Sequence, residues 1–414
     1  MAVYEDPARM LTALTRASHL MAFEQMPAVV AAHAERAGLG RTSIFLADLQ
    51  EDVLREVTGR GVNAGQGGEE LRIDGTLAGR AYQKGLGGAL SDGRGRHWVP
   101  VVDGTERLGV LRVDTTADGA AGGEARQDLA SLVGLLLVSK RSYSDSYARL
   151  TRIRPMSPSA EMQWTLMPPQ TFSDGRVTIA AAMEPAYETA GDAFDYALAE
   201  DTLHLAVFDA MGHDTGAGLT ANLAIATCRS HRRRGAGLSE AGDAVEAALL
   251  EQFDHSRYAT GILADLHLTT GRLSWINYGH PPPVLIRGGR WTTTLACRPT
   301  HPMGTDLGLR AVVCQEQLEP GDRLLFYTDG ITEARDAKGH LFGRERFVDF
   351  IVRQHADDIP LPETLRRLIH SVLHYHDGRL EDDATVLCCA WHGDDARAPA
   401  APGAGRTRKS PDSG

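Results

Sequence analysis

Four acidic points along the chain have the residue types and local settings of ligands for a hard cation. Asp192 and Asp195 stand in Gly191-Asp192-Ala193-Phe194-Asp195, which reads as an acidic turn. Asp209 follows the apolar run 203–208, a predicted strand, and Gly212 and Gly216 loosen the chain before a helical stretch begins near Leu219. The design returns where 323–328 runs into Asp329-Gly330, and where Glu381-Asp382-Asp383 precedes the apolar run 385–391. A carboxylate at a strand end beside a flexible turn suits a divalent cation that takes oxygen ligands at fixed distances. Taken singly, each piece has a plainer reading. Asp-Gly after a strand is an ordinary turn, and paired acids before a strand form a solvated edge that discourages aggregation. Taken together, the four points could converge on a pair of metal ions.

In chain order, the segments Ala190-Gly191-Asp192-Ala193-Phe194-Asp195, Asp209-Ala210-Met211-Gly212-His213, Asn277-Tyr278-Gly279-His280-Pro281-Pro282, Tyr327-Thr328-Asp329-Gly330-Ile331-Thr332-Glu333 and Asp382-Asp383-Ala384-Thr385 resemble the successive motifs of the metal-dependent protein phosphatases, the PPM family. The bacterial SpoIIE-like branch is the nearest, and the resemblance covers about residues 170 to 392. No one motif is specific; five in the family's order are. The chain departs from the pattern at Ala190, where a second glycine is usual, at Ala193, where an aromatic is usual, and at Asp214, which replaces a common glycine.

The resemblance implies two Mn2+ or Mg2+ ions, and an all-carboxylate, water-rich site also fits these better than zinc. It implies that Asp209 bridges the ions, that the backbone carbonyl of Ala210 helps to hold one, and that Asp329 and Asp382 complete the shell of the other. Asp192 would bind directly or through water, Asp383 would orient the shell by hydrogen bonds, and Asp195 is read as structural. The catalytic assignments thus fall on Asp209, Asp329 and Asp382. The implied activity is a protein serine/threonine phosphatase. It would hydrolyse phosphoserine or phosphothreonine on a regulatory protein, such as an anti-sigma-factor antagonist, by in-line attack of a metal-bridging hydroxide. The alternative is a catalytically degenerate, ligand-sensing and protein-binding module of the same fold.

Other chemistries compete for single residues. His280 sits where a general acid would suit, yet its Gly and Pro neighbours suit a structural corner, which is the preferred reading; His213, beside the metal turn, is the better proton-transfer candidate. Cys228 and Arg234 have the spacing of a cysteine phosphatase's nucleophile and arginine, but the residues between them lack glycine and lie in a helical stretch, so no loop can cradle phosphate. The cluster Arg229, Arg232, Arg233 and Arg234 reads as a solvated helix end favoured by the helix dipole. His370, His374 and His376 offer a zinc pair at helical spacing without the acidic partner of the zincin pattern.

The elements that must position these residues fall into two halves. Residues 1–145 show helix (8–37), strands at 42–49 and 53–57, a short helix at 76–84, a hairpin of 98–102 with 108–113 across Asp103-Gly104, and one long helix over 124–150. This order, with the pattern around Ile73-Asp74-Gly75-Thr76-Leu77-Ala78-Gly79, resembles a GAF-type sensor, which implies a small-molecule ligand that no residue identifies. Residues 146–170 read as a helical linker able to transmit a switch and to carry a homodimer contact. Residues 171–393 show many strands and about four helices. The fold class is therefore α+β: a GAF-like α/β domain followed by a PPM-type β-sandwich flanked by helices in αββα layers. Residues 394–414, rich in Ala, Pro, Gly and Arg, read as a disordered tail.

Composition narrows the function classes. A net charge of −11 over 414 residues argues against nucleic-acid and anionic-membrane partners. Five cysteines, an odd number at irregular spacing, give no disulfide framework, which suggests a reducing cytosol. With neither signal peptide nor bilayer-length apolar run, the expectation is a cytoplasmic protein.

Overall fold

The computed structural model describes residues 7–115, 120–184, 187–188, 191–376, 380 and 382–393. The expected tail at 394–414 lies outside the described residues, as do Ala190 and Glu381.

Helices α1 (Pro7–Ser18) and α2 (Met26–Arg36) precede strands β1 (Arg41–Ala47), β2 (Val53–Val57) and β3 (Glu70–Arg72). Helix α3 (Leu77–Lys84) follows, started by Thr76, whose hydroxyl accepts the Gly79 N–H at 2.9 Å. Strands β4 (Leu90–Ser91), β5 (Arg96–Asp103) and β6 (Glu106–Asp114) complete an antiparallel sheet in the order β3-β2-β1-β6-β5-β4. One face of the sheet buries Ile44, Leu46, Val99 and Leu111 with α1, α2 and helix α4 (Ala120–Arg141), whereas the other buries Phe45, Trp98 and Val110 with α3. Alternate residues of one strand thus serve two cores, as the period of two requires.

The single helix expected over 124–150 is two. After α4 the chain breaks, and Ser144 caps α5 (Asp145–Thr151) by accepting the Tyr147 N–H at 3.2 Å. Ser-Asp is a helix-start signal that outweighs the apolar continuity across it. Ser157 and Pro158 then start α6 (Pro158–Leu166) in the same way.

The second half alternates strands and helices: β7 (Thr171–Ser173), β8 (Val177–Glu184), β9 (Asp192–Ala199), β10 (Thr202–Ala210), α7 (Thr215–Arg232), α8 (Leu238–Phe253), β11 (Ala259–His267), β12 (Arg272–Tyr278), β13 (Val284–Arg287), β14 (Trp291–Thr294), β15 (Cys314–Gln317), β16 (Arg323–Tyr327), α9 (Asp329–Glu333), α10 (Arg344–Ala356), α11 (Leu361–Tyr375) and β17 (Ala384–Trp391). They form two antiparallel sheets, β15-β12-β11-β10-β9 and β14-β13-β16-β17-β8-β7. Helices α7 and α8 pack on the first sheet and α11 on the second, with α10 against α11. Strand β17 shows why the layers hold. Leu387, Cys389 and Trp391 enter the core between the sheets, while Val386, Cys388 and Ala390 enter the core under α10 and α11. The expected sandwich flanked by helices is what the chain forms.

One expectation fails outright. Cys297 and Cys314 are joined by a disulfide, their Cα atoms 5.8 Å apart across 17 residues of sequence. The chain leaves β14, makes a long excursion and returns to open β15, so two cysteines that look unrelated in sequence meet. The cysteine pattern therefore no longer points to a reducing compartment. Cys228, Cys388 and Cys389 are free and buried. Among the described residues no helix is long and apolar enough to cross a membrane.

Candidate metal centre

Strands β9 and β10 place the first two carboxylates. Asp192 and Asp209 are direct partners in the antiparallel register, so both side chains leave the same face of the sheet. The segment read as an acidic turn is in fact the start of β9, and its first five residues are all buried. Without an exposed alternate face, the period-two signal of a strand is missing from the sequence.

Two glycines explain the motifs around the carboxylates. A Cβ on Gly191 would lie 2.5 Å from the Ala210 carbonyl oxygen and 2.6 Å from that of Gly212, so the turn after β10 closes directly over the start of β9. The Ala210 N–H donates to the Gly191 carbonyl at 3.0 Å, locking the two together. A Cβ on Gly330 would lie 1.8 Å from the Asp383 carbonyl oxygen. The first turn of α9, opened by Asp329, is thereby pressed onto the start of β17.

Thr328 ties these pieces into one body. Its buried hydroxyl donates to Asp192 Oδ2 at 2.6 Å and accepts the Thr385 N–H at 2.9 Å, and its own N–H donates to the Thr385 carbonyl at 3.0 Å. The Asp383 carboxylate accepts the Gly191 N–H, and the Asp383 N–H donates to Asp382 Oδ1 at 2.9 Å. The sequence held Thr328 inside a motif, but nothing there marked it as the hub.

The carboxylates also influence one another's charge. Burial, then the neighbouring Asp329, Asp382 and Asp383, pushes the Asp209 carboxyl up to about 7. Burial pushes Asp383 up to about 7 as well, opposed by the Gly191 hydrogen bond and reinforced by Asp382. Asp192 is held well above the carboxylate range by burial, Asp209 and Asp383, and Asp329 is raised by burial, Asp382 and Glu333. Asp192, Asp209, Asp329, Asp382 and Asp383 thus act on one another, and Ala210 follows Asp209 directly on the same strand. His213, exposed beside them, lowers Asp383. The result is a cluster of carboxylate oxygens that oppose one another's ionisation, the donor type a hard divalent cation takes. Among the described residues no three His, Cys, Asp or Glu side chains stand close enough to cage an ion by themselves. Magnesium-type sites rarely need that, since the ion keeps several waters and takes one or two carboxylates. The residues fit such an ion.

The remaining candidates resolve as follows. His280 is buried: its Nε2 donates to the Tyr327 carbonyl at 3.1 Å, its Nδ1 accepts from the Thr260 hydroxyl at 2.8 Å, and burial lowers it to about 4. Asn277 closes the corner through the His280 N–H and carbonyl, both at 2.8 Å. It is a neutral structural residue. Cys228 is buried on α7 and pushed up to about 12, so it is no nucleophile. His370 donates to the Gln50 carbonyl at 3.0 Å, a contact with the N-terminal half, while His374 is exposed.

Asp195 is structural, and its partners correct the reading of the basic cluster. Arg229 and Arg232 reach its carboxylate at 2.5 and 2.8 Å, whereas Arg233 and Arg234 are exposed at the helix end as expected. Asp214, the departure from the glycine pattern, caps α7 at the Ala217 N–H (2.8 Å) and pairs with Arg257 at 2.7 Å. Gln163, fully buried on α6, donates its side-chain amide to the Asp192 carbonyl, so the linker touches the centre directly. Sequence gave no signal for Arg257 or Gln163, whose partners are 43 and 29 residues away.

Comparison with known proteins finds relatives for part of the chain. The family described as Stage II sporulation protein E (SpoIIE) matches residues 199–392. Protein IcfG of Synechocystis sp. is 24% identical over 243 residues, which cover 50% of this chain and 37% of that protein. Phosphoserine phosphatase RsbU of Bacillus subtilis is 20% identical over 229 residues, covering 55% of this chain and 68% of the relative. Among solved structures, the RsbU and RsbW domains of Rv1364c from Mycobacterium tuberculosis superpose with a TM-score of 0.46 and 25% identity, covering 52% of this chain and 62% of that one. The chain thus spans little more than a third of one curated relative and about two thirds of the other. Over residues 199–392 the chain thus carries a match to the SpoIIE family.

Proposed function

We propose that the chain is a Mn2+- or Mg2+-dependent protein serine/threonine phosphatase acting on a phosphorylated regulatory protein, with its N-terminal half as the regulatory module. The observation that supports this reading is that the Asp192–Asp209 strand pair, the Thr328–Asp192 bond and the Gly191–Asp383 bond draw the starts of β9 and β17 and the ends of β10 and β16 together around these carboxylates. Asp192, Asp209, Asp329, Asp382 and the Ala210 carbonyl would hold the ions. When bound, a pair of divalent ions supplies an activated water and neutralises charge on the phosphoryl oxygens.

The chain's own residues do the rest. Thr328 fixes Asp192, and Asp383 fixes the Gly191 turn. His213 is exposed beside Asp383, where a proton can be delivered to a leaving oxygen. The name of the RsbU relative, a phosphoserine phosphatase, supports the serine/threonine assignment; an anti-sigma-factor antagonist is the substrate type that goes with it.

Two further features support regulation. A cavity of about 380 Å3 between the halves, lined by Glu51, Tyr82, Arg107, Arg141, Tyr147 and Trp164 among others, has room for the small-molecule ligand of a sensor. Helix α6 carries Gln163 to the centre, and on another side borders an apolar groove with Met162, Leu166, Leu219 and Phe253, a surface suited to a second copy.

The test is hydrolysis of a phosphoserine peptide with Mn2+, with excess chelator, and by Asp209→Asn. Turnover should need metal and vanish in the variant. A folded chain that neither binds Mn2+ nor turns over would instead be the non-catalytic sensing module.

A further inference from the structure

The tip of the β1–β2 hairpin is built as a rigid part. The buried Asp48 carboxylate accepts the N–H groups of Gln50, Asp52 and Val53 at 3.1, 2.8 and 2.7 Å. The other half holds this tip firmly. His370 donates to the Gln50 carbonyl at 3.0 Å, and Arg366 donates to the Glu51 carbonyl at 3.2 Å. Arg107 joins the Glu51 side chain, at 2.5 Å, to Glu363 of α11, at 2.8 Å.

From this anchored tip the Gln50 side chain reaches across. Its amide nitrogen lies 3.1 and 3.2 Å from the two oxygens of Glu184, while its own oxygen accepts from Arg154 at 3.1 Å. Glu184 is 6% exposed and ends β8. It pairs with Ala384, the first residue of β17, and Asp383 and Asp382 come immediately before. One position along, Met183 pairs with Thr385, whose N–H is bound by the Thr328 hydroxyl that also holds Asp192. Gln50 is therefore fixed to the strand pair whose end presents two of the carboxylates.

We infer that Gln50 is a positioning residue for the metal centre. Through its hydrogen bonds to Glu184, the N-terminal half sets where the start of β17 lies, and with it Asp382 and Asp383. The inference rests on the metal-centre reading of the preceding subsection. It is a different route from the linker: Gln163 acts on the β9 side, Gln50 on the β8–β17 side. The chemistry suits a positioning role. An amide donor on a buried carboxylate is a charge-assisted hydrogen bond, stronger and more directional than a neutral one, so losing it loosens the strand end that carries the carboxylate.

The test uses the full chain with Gln50→Glu, which sets two carboxylates face to face, and with the reversed pair Gln50→Glu plus Glu184→Gln, which restores one amide–carboxylate contact. In Gln50→Glu, Mn2+ binding by calorimetry and the Mn2+ midpoint for phosphopeptide turnover should both weaken by about five-fold, the equivalent of one hydrogen bond. Amide exchange over residues 382–388 should quicken, and kcat at saturating Mn2+ should hold within two-fold. The reversed pair should return all three readouts toward wild type. If Gln50→Glu does not fold, Gln50→Ala should show smaller shifts of the same sign. A folded Gln50→Glu with wild-type Mn2+ affinity and exchange, or a reversed pair no better than the single variant, overturns the inference. A wild-type chain that does not bind Mn2+ defeats the phosphatase reading instead, and exchange over 382–388 alone then decides whether Gln50 positions the strand.

Discussion

Asp209 and Asp383, both pushed up to about 7, make the metal-free centre a source of instability at neutral pH. An unfolded aspartate titrates near 4, so between about pH 4 and pH 7 the folded chain holds more protons than the unfolded one. The contribution of such a group is fully present below the unfolded value and is lost as pH rises through the folded one. His280, lowered to about 4, acts in the opposite sense, adding stability above its unfolded value and losing it as pH falls. The difference between wild type and Asp209→Asn isolates the carboxylate. With metal removed by chelator, Asp209→Asn should melt higher than wild type at pH 8, by roughly 3 °C or more, the shift that about 1 kcal/mol produces in a domain of this size. The gap should close at pH 4, and saturating Mn2+ should reverse the order, because only the wild type gains the ions. Thermal melts at the two pH values with and without Mn2+ check this. Equal melting of the two proteins at pH 8 without metal would show that the carboxylates do not repel as described.

Between single residues and the whole chain, helix α7 and strand β9 share a buried ion cluster. Asp195 is fully buried, and Arg229 and Arg232 come from one face of α7, three residues apart, to meet it. Removing the carboxylate with Asp195→Ala leaves two half-buried guanidinium groups without it, which should lower stability by about 3–5 kcal/mol in denaturant titrations. The Mn2+ midpoint of the folded fraction should stay within two-fold, since Asp195 does not face the centre. The same helix shows what sequence could and could not reveal. Strands β10 and β17 announce themselves as continuous apolar runs, and Asp209, Asp329 and Asp382 by their place beside such runs. Strand β9 did not, because its buried first half lacks alternation. Strands β3, β4, β7 and β14 are two to four residues long, too short to carry a period. Arg229 and Arg232 looked like a solvated helix end because their partner is 34 to 37 residues distant, and nothing local encodes a contact of that range.

On the scale of the whole molecule, the halves meet through charge more than through oil. Glu363 of α11 is 1% exposed and binds Arg107 from the N-terminal half, while Arg366 reaches back to Asp74 at 2.7 Å. Interfaces of this polar kind permit relative motion, and this one leads to both Gln50 and α6. Deleting residues 1–145 removes Asp74, Arg107 and the hairpin tip at once, and should change phosphopeptide turnover several-fold in a truncation that still folds. Unchanged kinetics would reduce the linker to a passive tether. Strand β17 offers a way to watch such openings. Its adjacent thiols face apart, Cys388 into the layer under α10 and α11 and Cys389 into the seam between the sheets, each at most 1% exposed. Burial shields both sulfurs from reagents and oxidants and pushes the Cys388 thiol up to about 12, so it forms almost no thiolate in the closed fold. Two adjacent residues on one strand are therefore separate clocks for separate compartments. Whichever sulfur is alkylated first names the layer that peels away, the outer helices or the sandwich itself, without any label having to be introduced.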